Sequence, residues 1–69
     1  MEMSIFGLES FLWATDTVEK MEIGKLGITS SNLKRLGNLL LQTRLSDYPY
    51  MYKVRDLEER YDALKGTLV

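Results

Sequence analysis

The chain has 69 residues, 45% of them apolar and 28% charged, with a net charge of −1, the composition of one folded domain that is too short for a second and too apolar for disorder. It contains neither histidine nor cysteine, which removes disulfide staples, the usual zinc ligands, the thiolate nucleophile and the imidazole base. No apolar run approaches the ~20 residues of a membrane-spanning helix, and the opening Met1-Glu2-Met3-Ser4 lacks the basic segment of a signal peptide, so a cytoplasmic protein with no membrane contact is expected.

Along the first segment, Leu8, Phe11, Leu12, Ala14, Thr15, Val18 and Met21 share one side of a helical wheel, predicting a helix from about residue 5 to residue 20 with Ser4 as its cap. Asp16 with Glu19 three residues later also reads as a capping box, which would split that helix near Thr15. Residues 22 to 29 hold Gly24 and Gly27 without a helical stripe, and read as a turn or short extended link. Thr29, Ser30, Ser31 and Asn32 are all competent caps for a second helix from about residue 30 to residue 45, carried by Leu33, Leu36, Leu39 and Leu40. Gly37 lies inside it. An interior glycine costs about 0.5–1 kcal/mol relative to alanine, and is explained if another helix approaches closely there.

Pro49 suits the first position of a third helix, with Asp47 or Tyr48 in the cap region. Its apolar residues, Tyr50, Val54, Leu57, Tyr61 and Leu64, alternate steps of four and three as in a coiled-coil seam, and Gly66 supplies a stop. Asp56 with Arg60, and Arg55 with Glu58 and Glu59, are spaced to pair along it. The expected fold is therefore all-α: a single domain over residues 1 to 69, with three helices, the second and third forming a hairpin across Pro49 and the first packing over them.

Charge is unevenly placed. Residues 1 to 19 carry Glu2, Glu9, Asp16 and Glu19 and no base, a net −4, whereas residues 20 to 44 carry Lys20, Lys25, Lys34, Arg35 and Arg44 against Glu22, a net +4. Such an arrangement either holds the two segments together or presents a basic face to an anionic partner.

Leu26-Gly27-Ile28-Thr29-Ser30-Ser31-Asn32-Leu33-Lys34-Arg35-Leu36 resembles the second half of the helix-turn-helix motif of bacterial repressors: a turn glycine, a β-branched residue, a hydroxyl cap, and apolar residues six and nine positions after the glycine. The resemblance implies that Leu26, Ile28, Leu33 and Leu36 lock two helices while Ser30, Ser31, Asn32, Lys34 and Arg35 face DNA. Upstream the pattern differs, because Ile23 preceded by Glu22 stands where repressors have a small alanine after an apolar residue, and Gly24 interrupts the first helix. The overall acidity also works against phosphate neutralisation.

Glu58 with Asp62, and Asp56 with Glu59, share faces of the third helix, but Arg55 and Arg60 alternate with them and favour a solvated ion-pair surface over a cation site. Among the aromatics, Tyr50 and Tyr61 fall on the apolar stripe and are expected in the core, whereas Tyr48, Met51 and Tyr52 are expected to form an exposed patch at the corner between the second and third helices. A small non-enzymatic regulator or inhibitor follows, without a cofactor or metal, docking on a larger protein partner through Tyr48, Met51 and Tyr52. The alternatives are a DNA-binding regulator using Ser30, Ser31, Asn32, Lys34 and Arg35, or a homo-oligomer assembled through the seam of the third helix.

Overall fold

The computed structural model describes residues 5 to 46 and 48 to 68, with side chains described from Gly7 onward. It contains three helices: α1 over Ile5–Glu22, α2 over Ser30–Leu45 and α3 over Met51–Thr67. No strand occurs among the described residues. The expected caps Ser4 and Asp47 lie outside them.

α1 is continuous. Asp16 does not start a second helix; its carboxylate pairs along the same helix with Lys20 at 3.1 Å. The helix ends where Gly24 adopts φ +82°, a left-handed conformation that glycine reaches without a Cβ clash. There the amide of Lys25 donates to the Lys20 carbonyl at 2.8 Å and that of Gly24 to the Met21 carbonyl at 3.4 Å, a Schellman closure that satisfies carbonyls left open at a helix end. After the link, Thr29 takes an extended conformation and its Oγ1 accepts from the amide of Asn32 at 3.1 Å. That bond caps α2 where the run of hydroxyl residues predicts it.

α2 runs back along α1, and α3 packs against both. Ala14, Val18 and Met21 of α1 meet Leu33, Leu36, Leu39 and Leu40 of α2 and Leu57 and Leu64 of α3 in the core, with Leu26, Ile28 and Tyr61 packed against its edge. The face α1 turns inward differs from the one its apolar pattern predicts. Ser10 and Thr17 are buried while Leu8 and Leu12 are exposed. Close approach explains the rotation: a Cβ on Gly7 would collide with the Ser46 hydroxyl, and Ser10 donates to Gln42 Oε1 at 3.3 Å. Small side chains on this side let α1 lie close to α2, and Thr17 satisfies its own hydroxyl by donating to the Trp13 carbonyl at 2.7 Å. Dense packing along the whole helix outweighs burial of two leucines.

Gly37 has the close neighbour that its position implies, since a Cβ there would lie 2.8 Å from the Tyr61 hydroxyl of α3. The ends of α3 differ from expectation. It starts at Met51, not at Pro49, and its N-cap Tyr50 makes no side-chain capping bond. Tyr48 is buried against α1, and the cap position falls at Tyr50, whose φ −107° and ψ 64° lie outside the helical region. Gly66 does not stop the helix, which continues to Thr67.

Two bidentate ion pairs tie α3 to its neighbours. Arg44 donates to Glu58 through Nε at 3.1 Å and Nη2 at 2.6 Å, and Arg60 donates to Glu22 through Nε at 3.0 Å and Nη2 at 2.5 Å. Asp56 lies 3.8 Å from Arg60 as its spacing predicts. Glu58 pairs across to α2 instead of along its own helix with Arg55. Among the described residues no ion pair joins α1 to α2.

Candidate functional site: the groove between α1 and α3

The corner between α2 and α3 is built from a run of aromatic rings. Tyr48, only 5% exposed, stacks on Phe11 of α1 with ring centroids 4.9 Å apart and planes at 22°. Tyr50 meets Tyr48 edge-on at 5.6 Å, and Tyr52 meets Tyr50 edge-on at 6.2 Å. Such geometry matches ring edges to ring faces. The Lys53 ammonium lies 5.1 Å over the Tyr50 ring, within cation–π range.

Tyr48 and Tyr50 have exchanged the positions expected of them. Tyr48 is buried and supports the corner from beneath, whereas Tyr50 is 46% exposed. The helical stripe does not extend to Tyr50 because the residue precedes the first turn. Met51 is half-buried, and Tyr52 is exposed at 68% as expected.

Beside Tyr52 a groove of about 530 Å³ opens between α1 and α3. Phe11 and Thr15 line it from α1 and Leu57 from α3, with Tyr52 as a wall and Lys53, Asp56 and Arg60 at its polar edge. Leu8 and Leu12, each three residues before a lining residue of α1, fall on the same flank of that helix and extend the apolar surface outward. The Arg60–Glu22 bridge spans from α3 to the end of α1. It holds the Glu22 carboxyl below its ordinary range, chiefly because Arg60 donates to it, while partial burial acts the other way. At its opposite wall Tyr52 borders a shallower, polar depression with Arg55, Asp56 and Glu59. The contributions of Leu8, Phe11 and Leu12 have no separate signature in the sequence, where they read as core positions of an amphipathic helix.

The segment resembling a helix-turn-helix is arranged differently from that motif. Leu33 and Leu36 are buried, and Leu26 and Ile28 pack against the core, as the resemblance implies. However, residues 23 to 29 separate the two helices, a longer link than the three to four residues of the motif, and α2 lies back along α1. Asn32 is engaged in the link itself, its Nδ2 donating to the Gly27 carbonyl at 2.7 Å. Ser30, Ser31, Lys34 and Arg35 are exposed. The seam of α3 is also taken: Val54, Leu57 and Leu64 are buried in the chain's own core, so that seam does not offer a surface to a second copy.

Among the described residues no group of three acidic side chains is placed to hold a metal ion, and no helix is long and apolar enough to cross a membrane. No protein-family model matches the chain, and no match is found among curated proteins or solved structures.

Proposed function

We propose that this chain is a small, non-enzymatic regulatory or inhibitory protein that docks on a larger protein through the groove between α1 and α3. The observation that carries the reading is the groove itself: an apolar floor of Phe11 and Leu57 beside a wall formed by Tyr52, which is 68% exposed. Tyrosine is favoured at interfaces because it brings a rigid apolar area with one polar handle and loses little conformational entropy. Exposed Leu8 and Leu12 widen the surface beyond what scattered apolar residues require. In this reading the protein acts by covering or reshaping a surface of its partner, so the mechanism is steric occlusion.

Affinity capture from the host with nuclease present tests this reading, using the wild type and three variants. A protein partner retained by the wild type is lost with Leu12→Glu and with Tyr52→Glu, and kept with Lys34→Ala/Arg35→Ala. Partner retention by both groove variants, or nucleic acid as the sole retained species when nuclease is omitted, contradicts it.

A further inference from the structure

We infer that α3 opens from the hairpin of α1 and α2 as one unit, pivoting on the segment that holds Pro49 and latched shut by two arginine–carboxylate bridges. The two junctions of the chain differ in how firmly they are closed. Between α1 and α2, Gly24 ends one helix in the Schellman arrangement, Thr29 caps the next, and the Asn32 side chain donates across the link to the Gly27 carbonyl at 2.7 Å. Between α2 and α3, Ser46 closes α2 by donating to the Thr43 carbonyl at 2.8 Å, but Tyr50, the N-cap of α3, supplies no side-chain bond. The start of α3 is therefore held by tertiary contact more than by local chemistry.

Packing has the same bias. α1 and α2 share the most extensive contact of the three helix pairs. Among the described residues, nine form the buried core cluster, and only Leu57 and Leu64 of them come from α3. On its α1 side α3 stands off far enough to leave the groove of about 530 Å³. What α3 has in addition is charge. Both bridges that cross between helices end on it, Glu58 on Arg44 of α2 and Arg60 on Glu22 of α1, while no ion pair joins α1 to α2 among the described residues. The four bridging side chains are 29–51% exposed, so added salt reaches and screens them. The contact of α1 with α2, which no ion pair supports, lacks that dependence. Screening thus loosens α3 before the hairpin, and units of unequal stability open separately in the native state. Since the groove draws Phe11 and Thr15 from α1 and Tyr52 and Leu57 from α3, it exists only while α3 is closed. In the docking reading proposed above, on which this consequence alone rests, ionic strength sets the fraction of chains competent to bind.

Native-state hydrogen exchange of the free wild-type protein, followed amide by amide by NMR, tests the opening. Protection in α3 from Leu57 to Leu64 is expected at least about tenfold below that of Val18 in α1 and Leu36 in α2. Raising sodium chloride to about 0.5 M is expected to speed α3 exchange about two- to fivefold, the change that loss of exposed bridges gives, and to leave Val18 and Leu36 unchanged. In Glu22→Gln/Glu58→Gln, with helicity checked by circular dichroism, α3 exchange starts at the faster rate and no longer responds to salt. The wild-type profile and its salt response suffice where that variant does not fold. Equal protection across the three helices overturns the proposal, as does a salt response shared by all three or one that persists in the double variant. None of these measurements involves a partner, so they are decided independently of docking through the groove.

Discussion

Phe11 and Tyr48 stack at 4.9 Å between ring centroids, joining the middle of α1 to the link that precedes α3. This contact sets the floor of the groove and fixes the corner from which Tyr50 and Tyr52 project. Tyr48→Ala removes a buried aromatic side chain, for which about 3–5 kcal/mol is typical. That is comparable with the whole stability expected of a domain this small, so the variant is expected to be largely unfolded in urea titrations followed by circular dichroism. Tyr48→Phe keeps the ring and stays folded.

Gly37 and Gly66 give opposite outcomes for the same substitution. Alanine at Gly37 gains helix propensity but drives its Cβ onto the Tyr61 ring, whose hydroxyl and Cζ lie 2.8 and 3.3 Å away. A net loss of about 1–3 kcal/mol is expected from such overpacking. Tyr61→Phe removes the nearest atom and restores part of the loss in the double variant. At Gly66 nothing lies within 4 Å of the added carbon, and Gly66→Ala is expected to stabilise α3 by about 0.5–1 kcal/mol. Thermal melts of the four variants separate the two effects.

The Arg60–Glu22 bridge makes stability pH-dependent in a defined direction. Arg60 holds the Glu22 carboxyl below its ordinary range in the folded chain, so between the folded value and the unfolded value near ~4.3 the unfolded chain binds more protons. The bridge therefore contributes fully above about pH 5 and fades as pH falls through the folded pKa. Denaturant midpoints measured from about pH 6 to pH 3 are expected to fall, and to fall less steeply in Glu22→Gln. Equal slopes contradict the assignment.

Thr29 supplies the cap of α2, its Oγ1 accepting the amide of Asn32. Thr29→Ala is expected to cost about 1 kcal/mol, read as a lower denaturant midpoint with an unchanged slope. Ser30→Ala and Ser31→Ala, whose hydroxyls are not the capping groups, are expected to cost less.

The three helices were legible in the sequence because each carries a long periodic pattern bounded by turn chemistry. For α2 the cap cluster and the final leucine match the observed bounds, Ser30–Leu45, and the seam of α3 appears in the core as Val54, Leu57 and Leu64. What the pattern does not encode is which of two acceptable faces a helix turns inward. In α1, Leu8 and Leu12 extend the apolar stripe as well as Ala14 and Val18 do, and the choice is made by how closely Gly7 and Ser10 let α2 approach. Tyr48 and Tyr50 exchanged places for a related reason: both stand in the link around Pro49, where helical periodicity carries no information about side-chain direction. Tyr52 was identifiable as exposed because it is off the stripe of a regular helix. The remainder of the groove was not, since Leu57 is itself a core residue and Phe11 packs against the core, so neither carries a pattern that sets it apart. Glu58 shows the same limit for charge, because local spacing points to Arg55 and the fold supplies Arg44.

Docking through the groove is tested most directly by mapping backbone amide chemical shifts of the isotope-labelled protein while its captured protein partner is added. The account predicts that the largest changes cluster at Phe11, Leu12, Thr15, Tyr52, Lys53 and Leu57, with little change at Ser30, Ser31, Lys34 and Arg35. Changes concentrated on that second set, with the groove residues unmoved, would contradict it.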